Sequence, residues 1–467
     1  MSDALYTTIH RLSDDILLDI FNWYRLENAY LWNSGLRWFK LSHVNRRWRH
    51  LIYQSTSHLG MHIECENGSP IVDTLDHIPP LPLFVNYGSN KDRRGKTIPP
   101  GQDELGICHA LRLHDRIRHV KLTLPFSISQ KVLVLLDKHF PILEHLSLSL
   151  AAKNSIPLAL PKAFIAPNLR HLALAGIGLT KRLWLLTSTV SLVTLNLYKI
   201  ETSSFIRPRL LVACLQSLTQ LKELSIDFSI PIPRPSTERD LLGEKGAPVI
   251  LPSLTNFQFK GVGAYLDCLI AQIRAPLLER LGITLFNQIV FALPHLSRFI
   301  NISEGFKPHV ARANFFRDGV SVTTTFHSSR WLDRPFQIRV KCKQLDWQID
   351  CAVQICNELL QALSSVEEFR IECPHNFQIP TAMQDGAIDG TTWHELLRSF
   401  ASVKELHIYR GLTEEVSRAL QVDDVGSDPG FLPNLQSINA LDNLFTSFTD
   451  TRQVVGRPVQ FSRRTYY

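Results

Sequence analysis

The feature that most constrains this chain is a six-residue phrase, apolar-x-x-apolar-x-apolar, that keeps returning from residue 117 onward. It reads Ile117-Arg118-His119-Val120-Lys121-Leu122, then Leu143-Glu144-His145-Leu146-Ser147-Leu148, then Leu169-Arg170-His171-Leu172-Ala173-Leu174 and Leu192-Val193-Thr194-Leu195-Asn196-Leu197. Leu221–Ile226, Leu254–Phe259, Leu278–Ile283, Leu296–Asn301, Val366–Ile371, Val403–Ile408 and a weaker Leu435–Ala440 continue it. The early copies start 26, 26, 23, 29, 33 and 24 residues apart. Recurrence at that interval predicts one strand and one helix per unit, each too small to bury its own apolar face and therefore stacked on its neighbours. The stretches between phrases carry helical spacing, as in Leu210, Leu211, Cys214, Leu215 and Leu218, or Trp393, Leu396, Leu397 and Phe400. Pro141, Pro167, Pro252, Pro276, Pro294 and Pro433 stand in Pro-x-Leu openers that mark a turn into the strand. The expected fold class is α/β: an irregular solenoid with a curved parallel sheet and its helices outside.

Strand geometry divides the phrase into two faces. Successive side chains point to opposite sides, so with the fourth and sixth residues in the core, the third and fifth line the other face. The third-position column runs His119, His145, His171, Thr194, Glu223, Asn256, Arg280 and Arg298. The fifth-position column runs Lys121, Ser147, Ala173, Asn196, Ser225, Gln258 and Gly282. From these we take His119, Lys121, His145, His171, Asn196, Glu223, Gln258 and Arg280 as candidate residues for holding a protein substrate. The three histidines are expected to stack about 4.8 Å apart, the spacing of adjacent strands. Protonation of one then disfavours protonation of the next. With Lys121 they are suited to an acidic or phosphorylated stretch; a solvated polar column is the plainer reading.

Three regions depart from the rhythm. Residues 302–350 interrupt it, and Val320–Thr323 and Phe336–Val340 alternate like strands of another kind. Pro231 to Pro248 reads as an exposed loop. The tail after Asp450 carries Arg452, Arg457, Arg463 and Arg464 and is expected to be loosely held.

Ahead of the repeats, Leu12-Ser13-Asp14-Asp15-Ile16-Leu17-Leu18-Asp19-Ile20-Phe21 reads as a helix start. Ser13 is a good N-cap, and Asp14 and Asp15 lie where the helix dipole favours negative charge. Ile16, Leu17, Ile20, Phe21 and Tyr24 form one apolar face, and Trp38, Leu41, Val44, Trp48 and Leu51 form a second at helical spacing. The second segment is basic on its other side, with Arg37, Lys40, Arg46, Arg47 and Arg49. Short helices cannot bury so much apolar surface unaided, so either the rest of the chain or another protein covers it.

These two segments, Leu12–Phe21 and Leu41-Ser42-His43-Val44-Asn45-Arg46-Arg47-Trp48-Arg49-His50-Leu51, resemble the two halves of an F-box. The chain thus looks like an F-box protein of the fungal type, with an N-terminal F-box followed by a divergent leucine-rich-repeat-like region. It departs from the family pattern at Ser13, where Pro is usual, at Asn45, where Cys is frequent, and in the longer segment from Arg25 to Arg37. The resemblance implies docking on a Skp-family adaptor, and through it on a cullin, by Leu12, Ile16, Leu17, Ile20, Phe21, Leu41, Val44, Trp48 and Leu51. It also implies a substrate-recognition role in a ubiquitin ligase, without catalysis by this chain. The competing expectation is a non-degradative interaction scaffold whose N-terminal helices pack on its own repeats. The expected organisation is a helical module at 9–58, a linker or capping region at 59–110, the array at 111–450 and a basic tail at 451–467.

Composition narrows the remaining classes. Hydrophobic residues make up 45% of the 467 and charged residues 20%, as in a folded chain rather than a disordered one. The net charge of +7 permits acidic partners but does not single out nucleic acid. No apolar run reaches the roughly 18–20 residues of a membrane span. The eight cysteines form no CxxC pair, and the group Cys342, Cys351, Cys356, Cys373 with His375 lacks zinc-finger spacing. Core cysteines in a reduced intracellular setting, cytoplasm or nucleus, are expected, with no metal and no cofactor. Gly261-Val262-Gly263 lacks the third glycine of a dinucleotide turn, and Trp393-His394-Glu395-Leu396-Leu397-Arg398 lacks the second histidine of a metalloprotease helix.

Overall fold

A computed structural model spans the chain. It describes residues 11–27, 37–55, 59, 62–66, 81–87, 104–151, 158–179, 184–230, 248–286, 293–301, 308–325, 336–342, 344–373, 390–409, 411–420, 431–441 and 443–463. The chain divides into two compact units, Met1–Thr194 and Leu195–Tyr467. The proline loop (231–247 of it), His375 and Arg464 lie outside the described residues.

Among the described residues the first unit opens with three helices: α1 (Asp14–Glu27), α2 (Arg37–Ser42) and α3 (Arg46–Gln54). Strands β1 (Ile63–Glu66) and β2 (Leu83–Tyr87) and helix α4 (Glu104–Arg112) follow, ahead of the first full phrase. Then come β3 (Ile117–Leu124), α5 (Phe126–Leu135), β4 (His145–Leu150) and β5 (His171–Ala175). The strands lie in sequence order, each parallel to the next. The repeat phrase accounts for this ladder residue by residue. Val120, Leu146 and Leu172 are register partners, as are Leu122, Leu148 and Leu174, and every one is fully buried. Each buried leucine contributes about 1.5–3 kcal/mol. The intervening residues of β4 alternate half-buried with buried, the period of two that a one-sided strand requires.

The Pro-x-Leu openers have a specific task in both units. The middle residue reaches back to a carbonyl of the preceding repeat. Asn168 donates to Pro141 O at 2.6 Å in the first unit. In the second, Ser253 donates to Thr219 O at 2.9 Å and Asn434 to Ala401 O at 3.1 Å. These bonds satisfy turn carbonyls and set the stagger between repeats.

The second unit has strands β6 (Thr194–Ile200, whose first residue closes the first unit), β7 (Glu223–Phe228), β8 (Asn256–Gly261) and β9 (Arg280–Leu285). Next come β10 (Val310–Phe316), β11 (Gly319–Thr325), β12 (Phe336–Val340), β13 (Glu368–Glu372), β14 (Glu405–Ile408), β15 (Ser437–Ala440) and β16 (Gln460–Arg463). Their spatial order is β6-β7-β8-β9-β12-β11-β10-β13-β14-β15-β16. After β9 the chain leaves two strand positions open, forms β10, and returns through the antiparallel neighbours β11 and β12 before the parallel ladder resumes at β13. The turn from β10 to β11 uses Gly319, where a Cβ would collide with the carbonyl oxygen of Val340 on β12. Val320–Thr323 and Phe336–Val340 are strands, and this insertion is the interruption expected over 302–350.

Two expectations are corrected. Leu296–Asn301, taken as a strand copy of the phrase, is a helix, α6. Its entrance is held by Asp267, whose carboxylate accepts from His295 N at 3.1 Å and sits 2.8 Å from His295 Nδ1. A carboxylate at a helix N-terminus favours the helix, and that carboxylate comes from another repeat. Arg298 therefore drops out of the third-position column. The tail from Asp450 is also not loosely held over its described part. Helix α7 (Thr446–Val454) carries Arg452, only 1% exposed and donating to Leu432 O, and β16 pairs with β15.

Candidate functional site

The N-terminal helices meet through polar locks at their ends. Ser13 Oγ accepts from Ile16 N at 3.4 Å, capping α1. Arg47 donates to Asp14 Oδ1 through Nε at 3.0 Å and Nη2 at 2.6 Å, and to Leu12 O at 2.7 Å, fastening the start of α3 to the start of α1. Asn45, where the family pattern often has Cys, caps α3 by accepting from Trp48 N at 2.8 Å. Arg49 Nε donates to Ser42 O at 3.0 Å at the end of α2.

The nine candidate adaptor residues then separate by burial. Leu17, Phe21 and Leu51 are buried, with Ile52 beside them in sequence, and the half-buried Trp48 meets Phe21 edge-on at 4.8 Å. Leu12 and Leu41 are half-buried. Ile16, Ile20 and Val44 are 48%, 43% and 58% exposed. Trp23, which was not among the nine, is 63% exposed. Ile16, Ile20 and Trp23 are four and three residues apart on α1, so they form one stripe. The signal for Trp23 was present in the sequence: it continues the helical spacing of Ile16 and Ile20, beyond the segment Leu12–Phe21 that carries the resemblance.

The third-position histidines of the first unit come together as a stack of rings. His119 and His145 are register partners, as are His145 and His171. The first pair has ring centroids 4.1 Å apart and planes within 8°, and the second pair is 5.5 Å apart at 35°. Two rings outside the phrase extend the stack: Phe84 lies 5.3 Å from His119, and His62 lies 3.8 Å from Phe84. At the other end His171 Nδ1 is 3.1 Å from Thr194 Oγ1. His62 and Phe84 were missed because β1 and β2 carry too little of the phrase to be found by it.

The rings are half-buried and close together, and both facts act on their protons. Burial, followed by the positive charge that His145, Lys121, His62 and His171 would place nearby, pushes His119 down to about 4. Burial, then His171 and Lys121, lowers His145. At neutral pH these two rings are therefore uncharged. Lys121, Ser147 and Ala173 form the next row across the same strands, and Lys121 is exposed.

Asn196, Glu223, Gln258 and Arg280 belong to the second unit, on β6, β7, β8 and β9. Glu223, Asn256 and Arg280 are in register, and so are Ser225, Gln258 and Gly282, as the columns require. A Cβ on Gly282 would collide with the Gln258 amide, so that side chain lies across the glycine.

Among the described residues, no group of three or more His, Cys, Asp and Glu is placed to hold a metal ion. Cys342, Cys351 and Cys356 are buried, and burial drives Cys356 up, away from the reactive thiolate. A Cβ on Gly261 would come 2.8 Å from Phe228, so packing against aromatic rings accounts for the first glycine of Gly261-Val262-Gly263. No described helix is long and apolar enough to cross a membrane.

The chain matches no protein-family model and no curated protein. Among solved structures it is similar to the leucine-rich repeat-containing protein LegL7 from Legionella pneumophila, at 12% identity over 86% of this chain and 99% of that one, with a TM-score of 0.25. The repeat assignment rests on the strand order, the register and the recurring phrase described above.

Proposed function

We propose that this protein is the substrate-recognition subunit of a Skp–cullin–F-box ubiquitin ligase, docking its adaptor through the N-terminal helices and a protein substrate through the repeat array. One observation carries the reading: the helical module has a core of its own and still leaves Ile16, Ile20, Trp23 and Val44 uncovered. An exposed apolar stripe on a module with its own core suits a partner protein. The scaffold alternative requires the apolar positions of residues 12–51 to be covered by the chain's own repeats, and these four exposed side chains count against it. The role needs no catalytic group: the receptor raises the effective concentration of substrate beside the ubiquitin carrier.

The test is capture of a Skp-family adaptor by the full-length protein, with and without Ile20→Asp and Trp23→Asp together. Both side chains are exposed, so the fold is expected to survive. Losing two apolar contacts of about 1–2 kcal/mol each is expected to weaken capture tenfold or more. Absence of capture by the unaltered protein would overturn the ligase reading.

A further inference from the structure

We propose that the sheet face of the first unit, along β2 to β5, docks an acidic segment of a partner protein, and that the histidine ladder takes up protons as it binds. The inference uses from the preceding section only the reading that the array's open face holds a partner, not the adaptor.

The face is charge-complementary to carboxylates. Beside the ladder run two further rows: Asn86, Lys121 and Ser147 in one, Thr123 and Ser149 in the next. These are donors and a cation, and no Asp or Glu stands in the ladder or in these rows on the described parts of β2 to β5. Lys121 is exposed and has no carboxylate within ion-pair distance among the described residues. Two acids continue these rows on β1, where Glu64 is the register partner of Phe84 and Glu66 that of Asn86, and Glu64 Oε1 lies 3.5 Å from His62 Nε2; Glu144 stands ahead of β4, held by Arg118 at 2.9 Å. Arg170 precedes β5 and is exposed.

Stacking makes the face respond to its ligand. The ring faces are turned to one another, so the ladder presents ring edges, whose nitrogens donate or accept hydrogen bonds. A carboxylate placed along those edges supplies the negative charge that the crowded cations lack, and thereby favours imidazolium. Binding and protonation then reinforce each other by linkage, each proton taken up steepening affinity by about tenfold per pH unit. A carboxylate suits this face better than a phosphoryl group. Arg118, beside the ladder, is already paired with Glu144, and bidentate arginine is the usual partner of phosphate.

The experiment uses the full-length protein and a labelled peptide of alternating glutamate and serine, at about pH 7.5 and about pH 6. Comparison peptides replace every glutamate by glutamine, or carry phosphoserine with glutamine. The acidic peptide is expected to bind, to bind more tightly at the lower pH, and to show a binding enthalpy that follows the buffer's ionisation enthalpy, which reads proton uptake directly. Lys121→Gln is expected to weaken binding at both pH values. His119→Gln with His145→Gln is expected to abolish the pH dependence while circular dichroism stays unchanged. Equal binding of the glutamine peptide, binding only of the phosphorylated one, no binding at either pH, or a pH dependence that survives the double substitution would overturn the proposal. Adaptor capture is measured on the same preparations: if it persists where peptide binding fails, this inference falls alone, and if peptide binding persists where capture fails, the ligase reading falls alone.

Discussion

The sheet faces of the two units are built on one register rule and carry opposite polar chemistry. In the first unit the rows along β2 to β5 hold rings, hydroxyls and a lysine, half-buried or exposed, with no carboxylate among them in the described residues. In the second unit the corresponding rows on β13 and β14 are closed by ion pairs. Glu368 Oε1 takes Arg370 Nε at 2.5 Å and His407 Nε2 at 3.1 Å, while Glu405 Oε2 lies 3.3 Å from His407 Nε2. Those groups are nearly buried: the side chains of Glu368, Arg370 and His407 are 14%, 13% and 4% exposed. The rows along β2 to β5 leave their polar groups half-buried or exposed, and those on β13 and β14 pair theirs with one another. A strand phrase decides where a side chain points, and its neighbours decide whether it remains open to a ligand.

The largest effect that would break this contrast is expected from Glu368→Ala. It leaves Arg370 and His407 nearly buried with their shared acceptor removed, a loss of about 3 kcal/mol in chemical denaturation. The equivalent cut in the first unit, Glu144→Ala, removes a pair whose partners are about two-fifths exposed, and is expected to cost no more than about 1 kcal/mol. Similar losses from both would erase the difference between the faces. Next in size is Gly319→Ala, which forces a Cβ against the backbone of β12 at the inserted hairpin; about 1–3 kcal/mol of destabilisation is expected. A neutral result there would mean that β10 to β12 tolerate rearrangement the parallel ladder does not.

The smallest effect sharpens the picture of the first unit. His119 is lowered in the folded chain to about 4, from an ordinary value of 6.5, so the folded state prefers the neutral ring. The stability tied to that neutral ring is fully present above pH 6.5 and is lost as pH falls through 4. Melting temperature is therefore expected to drop across that window in the unaltered protein, and to drop less steeply in His119→Gln. An unchanged slope would show that the ring is not held neutral.

Much of the first unit's sheet was legible because the information is local. An alternation such as His145-Leu146-Ser147-Leu148 can bury its leucines in only one register. A one-residue slip would expose them all, so the histidine column follows from the spacing of the phrases. Leu296–Asn301 shows where local information fails. Its apolar spacing satisfies strand and helix alike, and the helix is bonded at its entrance to Asp267, which lies about a repeat away in sequence. The N-terminal residues divide in the same way. Helical spacing placed Ile16, Leu17, Ile20 and Phe21 on one broad face, but only the packing of α3 on α1 determined that Leu17 and Phe21 are interior while Ile16 and Ile20 stay outside.

Periodicity thus carried the strands, their facing and the rows of polar side chains, because alternation and repeat length are properties of the chain itself. Strand order in the insertion, the burial of Arg452, the addition of His62 and Phe84 to the ladder and the depressed proton affinity of His119 came only with the tertiary structure. Each depends on a partner distant in sequence, and burial and charge act through space rather than along the chain.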